Sequence, residues 1–144
     1  MGLFDFVKDA GKVLKDSLDV ARNLKEELKE LGFQVEDLGL HVEDGLVTVN
    51  GKVKSQSERE KVILALGNIK GVEKVNDLLE VSNPEPEAVF YTVKRGDTLS
   101  KIAKIYYGNA MKYTKIFNAN QPLLKDPDKI YPGQVLRIPP EEGK

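Results

Sequence analysis

Cysteine is absent from the 144 residues, which excludes disulfides, zinc–thiolate sites and thiol nucleophiles together. Histidine occurs once, as His41. It lies between Leu40 and Val42 in a strand-like run, so it falls on the face opposite those apolar neighbours. A solvated strand residue fits that position better than a catalytic base. The longest uninterrupted apolar run, Val62-Ile63-Leu64-Ala65-Leu66, is far short of the roughly 20 residues that span a bilayer. Nor does either sign of charge dominate: 22 basic against 23 acidic side chains give a net charge of −1. That balance lacks the basic excess of nucleic-acid binders, and no nucleic-acid partner is expected.

An export signal is also missing from the opening MGLFDFVKDAGKVLK. A secretory leader carries a basic region and then an apolar stretch of roughly 7–15 residues. Here Asp5, Lys8 and Asp9 interrupt the apolar residues, and no small-residue cleavage site follows. Myristoylation at Gly2 would want Ser or Thr at position 6, which is Phe6. The expectation is a cytoplasmic protein without stable membrane insertion. Catalytic groupings are lacking as well. No serine sits in a nucleophile elbow, and Asp126-Pro127-Asp128 lacks the spacing and glycine of a calcium-binding loop. Glu85 and Glu87 fall in a flexible segment that could hold no catalytic geometry. An enzyme is not expected.

What is present is an ordinary folding composition, 40% hydrophobic and 31% charged, long enough for one domain or two small ones. Leu3, Val7, Ala10, Leu14 and Leu18 recur at spacings of three and four, which predicts an amphipathic opening helix. Gly11 weakens it by about 1 kcal/mol relative to Ala. Its polar face carries both signs, which favours docking on the protein itself over a membrane surface. A second helix is expected from about Asp19 to Leu31, stopped by Gly32. Leu38, Leu40 and Val42, then Asp44-Gly45, then Val47, Val49 and Val53 spell a β-hairpin with a type I′ turn. Ser57-Glu58-Arg59-Glu60 reads as a capping box opening a helix through Val62, Ile63, Leu66 and Ile69, ended by Gly67 and Gly71. Val75, Leu79 and Val81 make a further strand. The fold class is therefore α+β: an N-terminal helix plus an α-β-β-α-β unit with helices on one face of a small sheet.

Ser82-Asn83-Pro84-Glu85-Pro86-Glu87 reads as a short extended spacer. Beyond it Phe90-Tyr91-Thr92-Val93 is a strand, Gly96-Asp97 a turn, and Leu99, Ile102 and Ala103 a helix capped by Asp97 or Thr98. Ala110 through Ala119 is a second helix with Tyr113, Ile116 and Phe117 inward. Pro132-Gly133 turns into a closing strand, Gln134 to Ile138. The domain reading is 1–81 for the first unit, 82–88 for the linker and 89–144 for the second, a β-α-α-β unit.

The stretch YTVKRGDTLSKIAKIYYGNAMKYTKIFNANQ with IYPGQVLRIP resembles a LysM domain, through G-D-T-L, the N-x-N of Asn118 and Asn120, and P-G-x-x-L-x-I-P. The stretch LHVEDGLVTVNGKVKSQSEREKVILALGNIKGVEKVNDLLEV resembles a BON domain, through V-x-V-x-G-x-V, the following Ser-rich helix start and the G-V-x-x-V tail. Both behind an MGLF-F-VKDAG start resemble the family of bacterial cytoplasmic potassium-binding proteins over nearly the whole chain, with departures mainly between Lys12 and Gln34.

That resemblance implies a potassium ligand, with rubidium and caesium as related ions, and a monomer as the binding unit. Potassium is a large, weakly polarising cation, best bound by neutral carbonyl oxygens that replace its hydration shell. Carboxylate cages suit calcium better. Helix ends supply such carbonyls. Carried over by motif, the resemblance implies a metal site made by the backbone carbonyls of Val7, Lys8, Ala10, Gly67, Ile69 and Val72. On this reading two-domain closure around the ion makes the protein a potassium sensor or buffer. Two other functions stay open. LysM domains bind N-acetylglucosamine-containing peptidoglycan, and the matching residues are Gly96, Asp97, Thr98, Leu99, Ile130, Tyr131 and Pro132. BON domains are linked with phospholipid, which would place the first unit on a membrane surface.

Overall fold

The computed structural model describes residues 2–5, 18–69 and 72–140, with 2–5 and 18–21 described by their backbone alone. The chain forms two compact units, Met1–Glu85 and Pro86–Lys144.

The first unit is a four-stranded sheet under two helices. Its elements are β1 (Gly2–Asp5), α1 (Leu18–Glu30), β2 (Glu36–Glu43), β3 (Leu46–Ser55), α2 (Gln56–Gly67) and β4 (Lys74–Asn83). The strand order is β1-β4-β3-β2. β2 and β3 form the expected antiparallel hairpin, with Val42 opposite Val47 and Leu40 opposite Val49. β3 and β4 are parallel, which requires a crossover, and α2 supplies it. Side-chain alternation then does the sorting: Val42, Val47, Val49, Val53, Val75 and Leu79 are all buried, as are Leu24 and Leu28 of α1 and Val62, Ile63 and Leu66 of α2. Each such side chain withdrawn from water contributes about 1.5–3 kcal/mol. His41 lies on the other face, exposed, with Glu43 Oε1 3.6 Å from its Nε2.

Two expectations need correction. The helical stripe was expected to begin at Leu3, but Gly2–Asp5 is a strand, antiparallel to β4. Without it the start of β4 would present unpaired N–H and C=O groups along its outer edge, and satisfying them outweighs local spacing. Val7, Ala10 and Leu14 of that stripe lie outside the described residues. The capping box is also two residues out of frame. α2 is capped by Ser55, whose Oγ accepts the Glu58 N–H at 3.1 Å. The Glu58 carboxylate instead accepts the Gln34 N–H at 3.0 Å, tying the approach to β2 onto α2.

In the second unit β5 (Val89–Thr92) pairs antiparallel with β6 (Val135–Ile138). Between them lie α3 (Leu99–Tyr107), a 3₁₀ turn (Ala110–Lys112) and α4 (Tyr113–Ala119). Val93, Leu99, Ile102, Ala103, Ile116, Leu124, Leu136 and Ile138 make the core, with Tyr113 and Phe117 packed against it as expected. Asn120, wholly buried, joins α4 to β6. Its Nδ2 donates to the carbonyls of Ile116 and Arg137, and its Oδ1 accepts the Arg137 N–H, all within 2.8–2.9 Å. The last asparagine of the N-x-N motif is thus a hydrogen-bonded joint.

Candidate ion-binding site

Gly67 closes α2, and Ile69 and Val72 follow on the short loop to β4. Gly67 is the last residue of α2 and is buried, Ile69 is half-buried, and Val72 has no exposed surface. Hydrogen bonds define the directions of their carbonyls. The Asn68 N–H donates back to the Leu64 carbonyl at 2.9 Å. Because a trans peptide points its N–H and C=O in opposite directions, the Gly67 carbonyl points forward, out of the end of α2. The Ile69 N–H donates to the Leu66 carbonyl at 3.3 Å, and the Val72 N–H returns to the Ile69 carbonyl at 3.1 Å. One lone pair of the Ile69 oxygen is therefore used, and a carbonyl oxygen can accept a second partner. The donor four residues beyond Gly67 is Gly71, which lies outside the described residues.

The electrostatics of this helix end favour a cation. The C-terminus of a helix carries about half a negative charge, which proteins commonly offset with Lys, Arg or His in the last turn. The last turn of α2 contains none. Among the described residues no group of three or more His, Cys, Asp or Glu is placed to hold a metal.

The other three expected ligands, Val7, Lys8 and Ala10, lie outside the described residues. The strand before them is described. Asp5 pairs with Lys74 and Phe4 with Val75, so β1 runs toward the end of β4 at which Val72 and Glu73 enter it. One more contact holds this corner. The Gly45 carbonyl, at the β2–β3 turn, accepts both the Glu73 N–H at 2.8 Å and the Lys74 N–H at 3.2 Å. The sequence marks Asp44-Gly45 as a hairpin turn but gives no sign of this second use, because a backbone acceptor has no residue signature.

The G-D-T-L run of the second unit is occupied structurally. Tyr91 Oη donates to Asp97 Oδ2 at 2.5 Å, and the Lys94 N–H donates to the same oxygen at 2.8 Å. Those bonds hold the Asp97 carboxyl below its ordinary range, and the same bond, with burial and the Asp97 charge, raises Tyr91 to about 12. Thr98 caps α3 by accepting the Lys101 N–H at 3.1 Å, and Leu99 is in the core. Of the glycan-site candidates, Tyr131 presents an exposed ring, 48% accessible. No helix among the described residues is long and apolar enough to cross a membrane.

Comparison with known proteins agrees with this division. The BON domain family matches residues 16–83 and the LysM domain family residues 91–139. The "Potassium binding protein Kbp" of Escherichia coli O6:H1 strain CFT073 is 50% identical over 149 aligned positions, covering 98% of this chain and all of that protein. An uncharacterized protein of Deinococcus radiodurans is 59% identical over 49 residues, 34% of this chain and 19% of its own length. An endolysin of Bacillus phage B103 is 36% identical over 90 residues, 62% of this chain and 30% of its own. With half its residues shared over nearly the whole of both chains, the chain belongs to the family of the potassium binding protein Kbp.

Proposed function

We propose that this protein binds potassium selectively through the backbone carbonyls of Val7, Lys8 and Ala10 on one side and Gly67, Ile69 and Val72 on the other. The observation that carries the reading is the β1–β4 register. Asp5 lies opposite Lys74, and antiparallel partners sit about 5 Å apart. Val7 follows Asp5 by two residues and Val72 precedes Lys74 by two, so each Cα is within about 7 Å of its strand end. That register supports the reading, because the first ligand segment follows β1 directly in sequence and the second loop directly precedes β4. The forward-pointing Gly67 carbonyl, the lack of a basic residue in the last turn of α2 and the 50% identity to a potassium binding protein support the same reading.

Neutral carbonyls suit potassium and its larger congeners rubidium and caesium, because their dipoles replace a loosely held hydration shell. Without the ion these dipoles repel one another, so the ion stabilises the ordered form by RT ln(1 + [L]/Kd). That coupling makes a monomeric cytoplasmic sensor or buffer, with closure of the two domains as its output. The test is thermal unfolding in KCl and NaCl at matched ionic strength. Potassium should raise Tm well beyond sodium; equal shifts in the two salts would overturn the reading.

A second reading, glycan binding by the LysM unit, draws on the exposed ring of Tyr131 and the likeness to a phage endolysin. Binding of the purified protein to cell-wall sacculi, abolished by Tyr131→Ala, would support it.

A further inference from the structure

The turn between β2 and β3 sits at the same corner as the ion loop, and its geometry is unusually constrained. Asp44 and Gly45 both occupy the left-handed region, with φ of 48° and 79°, as a type I′ turn requires. A hairpin tip is ordinarily solvated, yet Gly45 is buried. Its carbonyl holds two N–H groups, those of Glu73 and Lys74. Two donors occupy both lone pairs of that oxygen, so Gly45 cannot itself serve as a ligand. What it fixes is its neighbour. The Glu73 N–H and the Val72 C=O belong to one rigid trans peptide, and they point in opposite directions. With the N–H drawn to Gly45 at 2.8 Å, the Val72 carbonyl is turned away from the hairpin.

We propose that the Asp44–Gly45 turn is a positioning element of the ion site, aiming the Val72 carbonyl by clamping the Glu73 N–H. The proposal rests on the potassium reading above. Its chemistry is preorganisation: a carbonyl held in its binding direction before the ion arrives has less freedom to lose on coordination. The second donor, Lys74, fixes the next peptide, so the ion loop leaves toward β4 along a single path.

The test compares three variants of the full chain by potassium titration at constant ionic strength, following Tm. Gly45→Val puts a β-branched residue where φ is positive and forces the carbonyl out of line. Insertion of one glycine after Asp44 displaces the carbonyl without a steric clash, and it decides the matter if Gly45→Val does not fold. Gly45→Asn keeps the left-handed conformation. A merely structural turn would lower Tm equally in sodium and potassium and leave the potassium midpoint alone. The proposal expects the half-maximal potassium concentration to rise at least tenfold in the valine and insertion variants and to stay within twofold in Gly45→Asn. An unchanged midpoint in the displaced turns, with wild type responding to potassium, overturns the proposal alone. No potassium response in wild type overturns the reading on which it rests.

Discussion

Arg59 of α2 directs both Nε and Nη2 at a single carboxylate oxygen, Oδ2 of Asp77 on β4, each at 2.6 Å. The Asp77 side chain has no exposed surface, and its other oxygen accepts the Leu79 N–H at 2.9 Å. The pair ties the crossover helix to the strand that it leads into. A buried pair of this kind adds little against a well-packed apolar substitute, yet removing one partner strands the other charge. Arg59→Met should therefore cost about 3–5 kcal/mol in urea unfolding. Arg59→Met combined with Asp77→Leu should recover most of that loss. The remainder, about 1–2 kcal/mol, is the Leu79 N–H left without its acceptor. A double variant as unstable as Arg59→Met would refute this account.

The two serines flanking the start of α2 give a second prediction. Ser55 accepts the Glu58 N–H and Ser57 lies within the helix. Ser55→Ala should lower stability by about 1 kcal/mol, and Ser57→Ala should stay within about 0.5 kcal/mol of wild type. Equal losses would mean that the cap is wrongly framed.

Those contacts show how much the residues disclose. Alternation placed Val47, Val49 and Val75 on the inner face, and the same count puts Asp77 there, between Val75 and Leu79. That is a buried acid in need of a cation, legible but unread. Ser55 and Ser57 are each followed three residues on by a glutamate, and only the end of β3 at Ser55 decides the frame. β1 was hidden for a different reason: a four-residue edge strand is specified by the edge that it covers, not by its own spacing. The proposed ion loop is harder still. Carbonyl donors leave no trace in residue type beyond a glycine at a helix end, so Gly67, Ile69 and Val72 came from family resemblance. Gly45, which touches the same corner, came only from the structure.

Tyr91 and Asp97 make the second unit sensitive to pH at both extremes. The folded carboxyl of Asp97 is lowered by the Tyr91 hydroxyl and the Lys94 N–H. Its contribution is thus present above the ordinary carboxylate pKa and is lost as pH falls through the lowered value. Tyr91 is raised to about 12. Its contribution is full below the ordinary tyrosine value of about 10 and disappears as pH rises toward 12. An absorbance titration of the five tyrosines should show one ionising last, near pH 12, and that step should vanish in Tyr91→Phe. Survival of the step in the variant would assign it to another ring.

The register of β1 makes the most discriminating prediction about the proposed ion site, because it separates the tether from the proposed ligands. Deleting Gly2–Asp5 leaves Val7, Lys8 and Ala10 in the chain but removes the strand that aligns Asp5 with Lys74. The segment must then find the α2–β4 loop unaided. A tethered group acts at an effective concentration that falls as the tether loosens, and apparent affinity falls with the fraction of molecules in the competent arrangement. The half-maximal potassium concentration should therefore rise at least tenfold, equivalent to about 1.4 kcal/mol. The Tm in sodium should fall much less, since the strand pairs only four residues of an edge. Restoring the deleted residues as Gly2-Ala-Ala-Asp should recover part of the affinity, because pairing uses the backbone. Wild-type potassium response in the deletion would show that the register does not bring the N-terminal carbonyls to the loop, and the six-carbonyl site would then lose its structural support.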